Sequence, residues 1–343
     1  MRRASRHALT PVESPLREGD FLNILVTGAS GLLGSSVARA LRDEGHRVTT
    51  LQRRASGVAG VRDVRGSVTD AAAVAEAMAG QTGVIHLAAQ VSMAGDASGF
   101  ERVNIGGTRN VLAAAQDAGV SRFVHISSPS VANAGDSLVG VPAGPANPEA
   151  ARGEYARTKG HGELLALGAD SEDFPVLVLR PHLMWGPGDT QLTERIIERS
   201  RQGRMPILGS GAALVDTLYV TNAVDAIVAA LEAVTSVHGE ALVVTNGQPR
   251  PIGEFIERLA LAGGAPRPKL RIPVGPALAA GSAVDAIWNL RDDHEDEPPL
   301  TRFLAEQMST AHWFDQRRTR EVLQWKPAVS FEAGMAELAR RYR

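Results

Sequence analysis

Cysteine is absent from the 343-residue chain, and lysine and tyrosine are scarce. Without cysteine the protein has no disulfide bond, no thiolate nucleophile and no Cys-ligated zinc, a composition that fits a reducing compartment. The formal net charge of −2 at pH 7 provides no global basic field for nucleic acid or an anionic membrane. The composition therefore predicts a cytoplasmic protein with no nucleic-acid partner and a small neutral or anionic substrate.

Long uninterrupted hydrophobic runs are also missing. Residues 1–20 are Arg-rich, broken by proline and without an apolar core, so they predict a disordered tail rather than a secretory signal. The most apolar segment, residues 272–290, contains two prolines and Asp285 and falls short of the roughly 18 apolar residues of a membrane span. The acidic run at 291–299 surrounds His294 but lacks a calcium-loop glycine and a helical histidine pair, so it predicts a solvated loop rather than a metal site.

Apolar strands alternate with helices through the first half of the chain. Residues 21–54 have the pattern of a strand, a Gly-rich turn, a helix and a second strand, and similar units continue to Pro181. This alternation predicts an α/β fold with a Rossmann-type, doubly wound parallel sheet. We expect the sheet domain at 21–181 and 216–246, and a smaller C-terminal substrate-binding lobe at 182–215 and 247–343, over the strand ends.

The first strand-to-helix turn reads TGASGLLG, which places Gly28, Gly31 and Gly34 three residues apart. Such glycines permit a tight turn, close approach of the backbone to a pyrophosphate and close packing of helix on strand. At the first β-to-α junction this pattern predicts a dinucleotide site. Packing alone is the alternative explanation of a small-residue turn.

The second strand ends in Gln52, Arg53 and Arg54, without the carboxylate that usually binds the ribose hydroxyls of NAD. Arginine pairs with a 2′-phosphate, so this ending favours NADP, with Ser30 as an additional donor. Two exposed arginines on an Arg-rich surface are the alternative.

Tyr155 and Lys159 are four residues apart, which places them on one face of a helix. Of the 36 basic Lys and Arg residues only three are lysines, at 159, 269 and 326, so a surface cation would more commonly be arginine. A solvated helix surface remains the alternative.

The strand RFVHISSPSV ends in two serines. A hydroxyl at this position either binds a substrate carbonyl or merely caps a turn. His86 and His125 lie within strands, a position that predicts packing roles for both side chains.

In order and spacing, TGxxGxxG, HLAA at 86–89, NIGGT at 104–108, the strand-end serine and Tyr-x-x-x-Lys resemble extended short-chain dehydrogenases/reductases. The resemblance implies that Tyr155 is the general acid/base, that Lys159 binds the nicotinamide ribose and lowers the phenol pKa, and that Ser128 rather than Ser127 holds the carbonyl oxygen. Ser67 replaces the family's usual aspartate, which leaves Val68 to pack on the adenine. The implied NADP(H) contacts are Gly28, Ser30, Gly31, Leu32, Leu33, Gly34, Arg53, Arg54, Val68, Leu87, Ala88, Ala89, Asn104, Tyr155, Lys159, Pro181, His182 and Leu183.

The segments HISSPSV, VLRPHLMWGPGD, LVDTLYVTNAVDAI, PPLTRF and STAHWFD resemble the 3β-hydroxysteroid dehydrogenase-like branch, and within it the reductases of bacterial long-chain olefin biosynthesis. This resemblance implies NADPH-dependent reduction of a 2-alkyl-3-oxoalkanoic acid to the 3-hydroxy acid. The alternatives are a steroid or dihydroflavonol-type reductase, a nucleotide-sugar epimerase or dehydratase, and a non-catalytic NADP-sensing binding protein. Arg53, Arg54 and the apolar 272–290 segment count against a sugar nucleotide, and retention of both Tyr155 and Lys159 counts against a sensor.

Extended members of this family often pair two helices across a homodimer interface. The corresponding helices begin near Gly106 and Tyr155 and carry small and apolar stripes, which include Leu112 on the first and Leu164 on the second. Each stripe also has an alternative partner in the chain's own sheet. The apolar 272–290 segment offers a competing contact with an enzyme of the same pathway or with a membrane surface.

Overall fold

The computed structural model describes residues 21–91, 97–133, 135–289 and 301–342. The expected tail at 1–20 and the acidic run at 291–299 lie outside these residues. The strands are β1 Asn23–Thr27, β2 Arg47–Gln52, β3 Arg62–Arg65, β4 Gly83–His86, β5 Arg122–Ile126, β6 Leu138–Val141, β7 Val176–Pro181, β8 Met184–Trp185, β9 Pro206–Leu208, β10 Leu214–Val215, β11 Leu218–Tyr219, β12 Glu240–Val244, β13 Arg250–Pro251, β14 Leu270–Ile272 and β15 His312–Phe314.

The α-helices are α1 Leu32–Asp43, α2 Ala71–Met78, α3 Ala97–Phe100, α4 Thr108–Asp117, α5 Glu154–Gly168, α6 Thr193–Arg201, α7 Val220–Ala233, α8 Ile252–Ala262, α9 Val274–Asn289, α10 Arg302–Gln307, α11 Arg317–Leu323 and α12 Phe331–Arg341. A π-helical turn, Glu101–Gly107, leads into α4, and short 3₁₀ turns occur at Pro129–Ala132 and Pro148–Ala150.

Within the described residues, seven strands form one sheet in the order β12-β7-β5-β4-β1-β2-β3. Every neighbouring pair in this sheet is parallel. From β1 the chain builds outward to β3 and then returns to add β4 on the other side, so the strand order reverses between β1 and β4. The Rossmann-type, doubly wound fold class expected from the sequence is confirmed, and the reversal marks the crevice where such sheets bind ligands.

Both faces of this sheet are covered because its strands are apolar at consecutive positions. Successive side chains of a strand point to opposite faces, and accordingly Val84 and Ile85 of β4 belong to different hydrophobic clusters. Ile85 packs with residues of α1 and α7. Val84 packs with residues of α2 and α4. Burial on both sides holds the strand ends, and the loops that follow them, in fixed positions.

The later part of the chain forms a smaller lobe around a third apolar cluster. Trp185 lies at its centre, with ring centroids 6.0 Å from Phe255 and 5.6 Å from Phe331. A small sheet in the order β13-β10-β15-β6 adds to this lobe, so β6 leaves the sheet domain to pair with β15. No helix in the described part of the chain has both the length and the apolarity that a membrane span requires.

Candidate active site

A deep cleft opens at the carboxyl ends of the parallel strands. Its volume is about 2460 Å³. The loops after β1, β2, β4, β5 and β7 line one side, and segments of the smaller lobe within 182–206, 252–288 and 301–314 line the other. This cleft lies where open α/β sheets bind their ligands.

The glycine loop after β1 is shaped by close backbone contacts. Gly28 has φ +79°, and a Cβ there would lie 2.9 Å from the amide nitrogen of Ala88. A Cβ on Gly34 would lie 2.5 Å from the carbonyl oxygen of Gly28, so no larger residue fits without moving the helix. A Cβ on Gly31 would approach the same oxygen only to 3.6 Å. The backbone of the loop therefore requires glycine at positions 28 and 34. Position 31 has space for a Cβ, and glycine there keeps the wall of the cleft free of a side chain.

Helix α1 presents backbone amide groups to the cleft. Its N-cap, Gly31, makes no side-chain capping hydrogen bond, and the first turn contains no acidic residue. Ser30 and residues 31–34 all line the cleft. The N-terminus of a helix carries unsatisfied N–H groups and a partial positive charge, both of which favour a bound anion. The loop thus fits the diphosphate of a dinucleotide.

Arg53 and Arg54 are exposed and line the cleft at the end of β2. Gln52 is buried and donates from Nε2 to Oδ1 of Asp63 at 3.1 Å. Burial raises the pKa of Asp63, but hydrogen bonds with Thr50, Ser56 and Gln52 together outweigh this effect. The pKa of the Asp63 carboxyl group is therefore below its ordinary value. The Asp63 carboxylate is thus occupied by hydrogen bonds at the edge of the sheet. Arg53 and Arg54 supply positive charge at this end of the cleft.

The turn after β3 contributes an apolar surface to the same end of the cleft. Val68 is 5% exposed and packs on Gly107, where a Cβ would lie 2.5 Å from Val68 Cγ2. The hydroxyl of Ser67 lies 2.8 Å from that of Thr69, so it is satisfied within its own turn. Both Ser67 and Val68 line the cleft, which fits an aromatic ring resting on the valine.

The segment after β4 is fixed by hydrogen bonds. The amides of Leu87 and Ala88 donate to the hydroxyl of Thr27 at 3.2 and 3.1 Å, and residues 87–89 line the cleft.

Asn104 stands behind this segment rather than among the residues that line the cleft. Its Oδ1 accepts from the amide of Gln90 at 2.8 Å, and its Nδ2 donates to the hydroxyl of Thr158 at 3.0 Å. The structure therefore shows Asn104 joining the β4 loop to α5, where the sequence resemblance implied a cofactor contact.

Ser128 and Tyr155 meet at the centre of the cleft. Ser128 caps the 3₁₀ turn after β5: its Oγ accepts from the amide of Ser130 at 3.3 Å and lies 3.0 Å from Ser130 Oγ. Its side chain also lies close enough to the Tyr155 phenol to act on the ionisation of that phenol. Ser127 is 6% exposed, and its hydroxyl has no partner among the described residues. The structure thus brings Ser128, and not Ser127, to the phenol.

Lys159 lies one helical turn after Tyr155 and is 4% exposed. Its ammonium donates to the carbonyl oxygen of Ile126, which anchors α5 to the end of β5. Burial lowers the pKa of Lys159 to about 8, and the charge of Glu163 opposes this shift. Burial raises the pKa of the Tyr155 phenol, and the neighbouring Ser128 hydroxyl opposes that change. The sequence resemblance implied a lowered pKa for the Tyr155 phenol. The pKa is instead raised, because burial disfavours the charged phenolate more than its neighbours stabilise it.

Two histidines lie in the sheet beneath Lys159. His86 bonds to the hydroxyls of Thr27 at 2.8 Å and Thr108 at 3.1 Å. Burial, together with the charge of Lys159, lowers the pKa of His86 to about 3 and that of His125 well below its usual value. Both rings are therefore neutral, which is consistent with packing roles.

The strand β7 leads into Pro181, His182 and Leu183, all of which line the cleft. Leu183 adopts the left-handed φ of 36°, which turns the chain into the lobe. The Nδ1 of His182 donates to the carbonyl oxygen of Asp216 at 2.6 Å, and burial lowers the pKa of His182 to about 3. This side chain is a neutral, fixed part of the wall.

Several cleft residues were not singled out from the sequence. Asn133 and His312 are hydrogen-bonded, with 3.0 Å between Nδ2 and Nε2, although they are distant in the chain. Residues 312–314 fall within a segment that carried the family resemblance, and only the β15–β6 pairing shows that it reaches the cleft. The lobe side also has an apolar wall, formed by Ile196, Met205, Phe255, Ile256, Ile272, Trp288, Phe303, Leu304 and Met308.

Among the described residues, no group of three or more histidine, cysteine, aspartate or glutamate side chains is arranged to hold a metal ion. The polar chemistry at the centre of the cleft is that of a hydroxyl, a phenol and an ammonium group.

Comparison with known proteins agrees with this geometry. The model of the NAD dependent epimerase/dehydratase family matches residues 24–245. A 2-alkyl-3-oxoalkanoate reductase of Stenotrophomonas maltophilia (strain K279a) is 38% identical over 329 residues, covering 92% of this chain and 98% of its own length. A reductase of the same name from Shewanella oneidensis is 32% identical, covering 91% of this chain and 84% of its own length.

Solved structures show the same fold at low sequence identity. MoeE5 in complex with UDP-glucose and NAD is 23% identical, with a TM-score of 0.71 over 93% of this chain and 97% of that chain. Both the family match and the two reductases extend over most of the chain. The chain therefore belongs to the NAD dependent epimerase/dehydratase family.

Proposed function

We propose that the protein is an NADPH-dependent reductase that converts a 2-alkyl-3-oxoalkanoic acid to the 3-hydroxy acid in long-chain olefin biosynthesis. An oxidoreductase of this family is supported by the two reductases at 38% and 32% identity. The observation that carries the proposal is the juxtaposition of the Ser128 hydroxyl and the Tyr155 phenol, with Lys159 buried one turn away, in a cleft whose far wall is apolar.

The cofactor is the first part of this proposal. Residues 28–34 would hold the diphosphate, Val68 the adenine, and Arg53 with Arg54 the 2′-phosphate, because these groups line one end of the cleft and match that chemistry. Residues 87–89 and 181–183 would enclose the nicotinamide end, with Lys159 on its ribose. When bound, NADPH supplies the hydride for the carbonyl carbon.

The protein's own side chains would carry out the proton chemistry. The Ser128 hydroxyl orients the carbonyl oxygen, and the Tyr155 phenol donates its proton to that oxygen as the alkoxide forms. A raised phenol pKa keeps Tyr155 protonated before the reaction, which suits the reductive direction. The Lys159 ammonium, held by the carbonyl of Ile126, stabilises the phenolate that remains after transfer.

The substrate class follows from the walls of the cleft. Aromatic and aliphatic side chains from α6, α8, α9 and α10 offer an extended apolar surface for alkyl chains. Arg152, three residues before Tyr155, also lines the cleft and would attract a carboxylate next to the reacting carbonyl. An alkyl-substituted keto acid combines both features.

Purified protein should be incubated with NADPH or NADH and matched substrates, with cofactor oxidation followed by absorbance. We expect turnover of 2-alkyl-3-oxo acids and much weaker turnover of the ketones formed by their decarboxylation. Sterols and dihydroflavonols form one control panel and nucleotide sugars another. Preferred turnover of either panel would replace the proposed substrate.

The sheet domain and smaller lobe are proposed with the expected bounds, and a cytoplasmic homodimer is proposed as the working form. An exposed depression formed by Ile105, Arg109, His161, Leu164 and Leu165 lies between the π-helical turn, α4 and α5. Leu164 is 44% exposed there, which leaves apolar surface available to a second copy. Association with enzymes of the same pathway, or with a membrane through 272–290, is the competing proposal.

A further inference from the structure

A buried ion pair lies behind Lys159 and takes no direct part in the proposed chemistry. Glu163 follows Lys159 by one turn on α5, and the side chains of Glu163 and Arg180 are 0% and 1% exposed. The Nε of Arg180 donates to Oε2 of Glu163 at 2.9 Å, and Nη2 donates to Oε1. The Nε and Nη2 edge of the guanidinium therefore holds both oxygens of the carboxylate, which leaves Nη1 for another partner.

The same guanidinium reaches a third segment. The Nη1 of Arg180 donates to the carbonyl oxygen of Gly144 at 2.7 Å. One side chain thus joins α5, β7 and the loop that follows β6. This loop leads to the 3₁₀ turn at 148–150, and a Cβ on Gly160 of α5 would lie 3.3 Å from Pro148 Cβ.

Stability alone is a weak explanation for such a pair. Removing two charges from water is costly, and apolar residues of similar volume are often as stable as a buried ion pair or more so. A position one turn from a second buried charge indicates a more specific role.

The pair also fixes the two elements that flank the reacting groups. Helix α5 carries Tyr155 and Lys159, whereas the residues after Arg180 line the cleft. Ile126, whose carbonyl accepts from Lys159, is the sheet partner of Leu179, the residue before Arg180. A shift of α5 along β7 would therefore break the Lys159 contact and move the phenol.

We propose that the Glu163–Arg180 pair positions Lys159 for the reaction: the carboxylate balances the buried ammonium, and the guanidinium locks that carboxylate to the strand leading into the cleft. This inference depends on the proposed function for its catalytic consequence only. Glu163 and Arg180 are positioning residues, because both act through Lys159.

The surroundings of Lys159 leave Glu163 as the main source of negative charge. Burial lowers the pKa of Lys159 and Glu163 raises it, while His86 and His125 are neutral and Tyr155 is protonated. Other charged groups on the segments that pack against α5 are exposed, namely Glu101, Arg102, Arg109, Asp117 and Glu149. Glu154, Arg157 and His161 on α5 itself are partly exposed.

The scarcity of lysine makes the charge of Lys159 directly measurable. Protein labelled with ¹³C at the lysine ε carbon has three lysines, Lys159, Lys269 and Lys326, and Lys159→Arg identifies the signal of interest. Its titration midpoint should lie near pH 8 in the wild type. In Glu163→Gln we expect the midpoint to fall by about one unit or more, since an opposite charge nearby shifts a pKa by roughly that amount. The alkaline limb of kcat/KM should move by the same amount.

Two further variants separate positioning from folding. Glu149→Gln, an exposed carboxylate on a segment that packs on α5, should leave the midpoint unchanged. The double variant Glu163→Met/Arg180→Met replaces the ion pair by apolar side chains. It should lower the titration midpoint of Lys159 by less than Glu163→Gln does, and it tests the role of the pair if Glu163→Gln does not fold. If Lys159 titrated in that double variant with the wild-type midpoint, the Glu163–Arg180 pair would have a structural role only. The titration needs no substrate, so a lowered midpoint without turnover of any ketone supports this inference and rejects the proposed function.

Discussion

The hydroxyl of Ser128 lies beside the phenol of Tyr155, across the gap between the end of β5 and the start of α5, and acts on the ionisation of that phenol. Ser128 is fixed by the turn that it caps, and α5 is fixed by the Lys159 bond to the end of the same strand. The two hydroxyl groups thus form a rigid pair of donors, which is the arrangement that a carbonyl oxygen requires for positioning and protonation.

Replacement of Tyr155 by phenylalanine should lower kcat by about 10²–10⁴-fold, the usual contribution of a general acid. The ring remains and only the proton donor is lost, so NADPH affinity should stay close to that of the wild type. Steady-state kinetics and fluorescence titration with NADPH measure the two quantities. Retention of more than about a tenth of the turnover would contradict the assignment.

The two neighbouring serines provide a matched pair of variants. Ser128→Ala removes the hydroxyl beside the Tyr155 phenol and should lower kcat by about 10-fold or more, as expected for one lost donor at the reacting oxygen. Ser127→Ala should change kcat little, because that hydroxyl makes no hydrogen bond among the described residues. Equal losses in both variants would show that the strand end, rather than Ser128, is what matters.

The pH dependence of reduction should follow Lys159. Its pKa is lowered to about 8, so the ammonium is present below that pH and is lost as pH rises through it, whereas the raised pKa of Tyr155 keeps the phenol protonated. We expect kcat/KM to be constant near neutral pH and to fall by about tenfold per unit above pH 8, as for a single ionisation. A profile that stays flat well into the alkaline range would contradict this.

NADPH should be preferred over NADH because Arg53 and Arg54 are exposed at the end of β2, where the 2′-phosphate would lie. Replacing both by alanine should raise KM for NADPH by about tenfold or more and leave KM for NADH nearly unchanged, since charge-assisted bonds to the phosphate are lost. Arg47→Ala, at the opposite end of β2, is the control and should change neither constant. Equal wild-type kcat/KM for the two cofactors would refute the preference.

The sequence was most informative where local pattern determines structure. The glycine loop, the parallel sheet and the shared face of Tyr155 and Lys159 follow from spacing alone. Long-range packing decided the rest. The Asn133–His312 contact needs the β15–β6 pairing, and the raised pKa of Tyr155 comes from desolvation by surrounding segments, which no local pattern records.

The expectation that Leu112 on α4 lies at a dimer interface is wrong, because packing with distant segments of the chain decides which side chains of α4 are exposed. Leu112 is 5% exposed and packs in the core on its own sheet, so a charge there would unfold the chain rather than split a dimer. Leu164 on α5 is 44% exposed and remains available for a partner.

The final prediction concerns this surface: Leu164→Glu should separate the proposed homodimer into single chains of 36.2 kDa. In an isologous interface each substitution occurs twice, so two carboxylates would face each other or enter apolar surface, and both arrangements are costly. Leu261→Glu is the matched control, because Leu261 is 43% exposed on α8 and away from α5. Light scattering at micromolar concentration should give about twice the chain mass for the wild type and for Leu261→Glu. A single-chain mass for the wild type rules out a stable dimer, and a dimer that survives Leu164→Glu must use another surface.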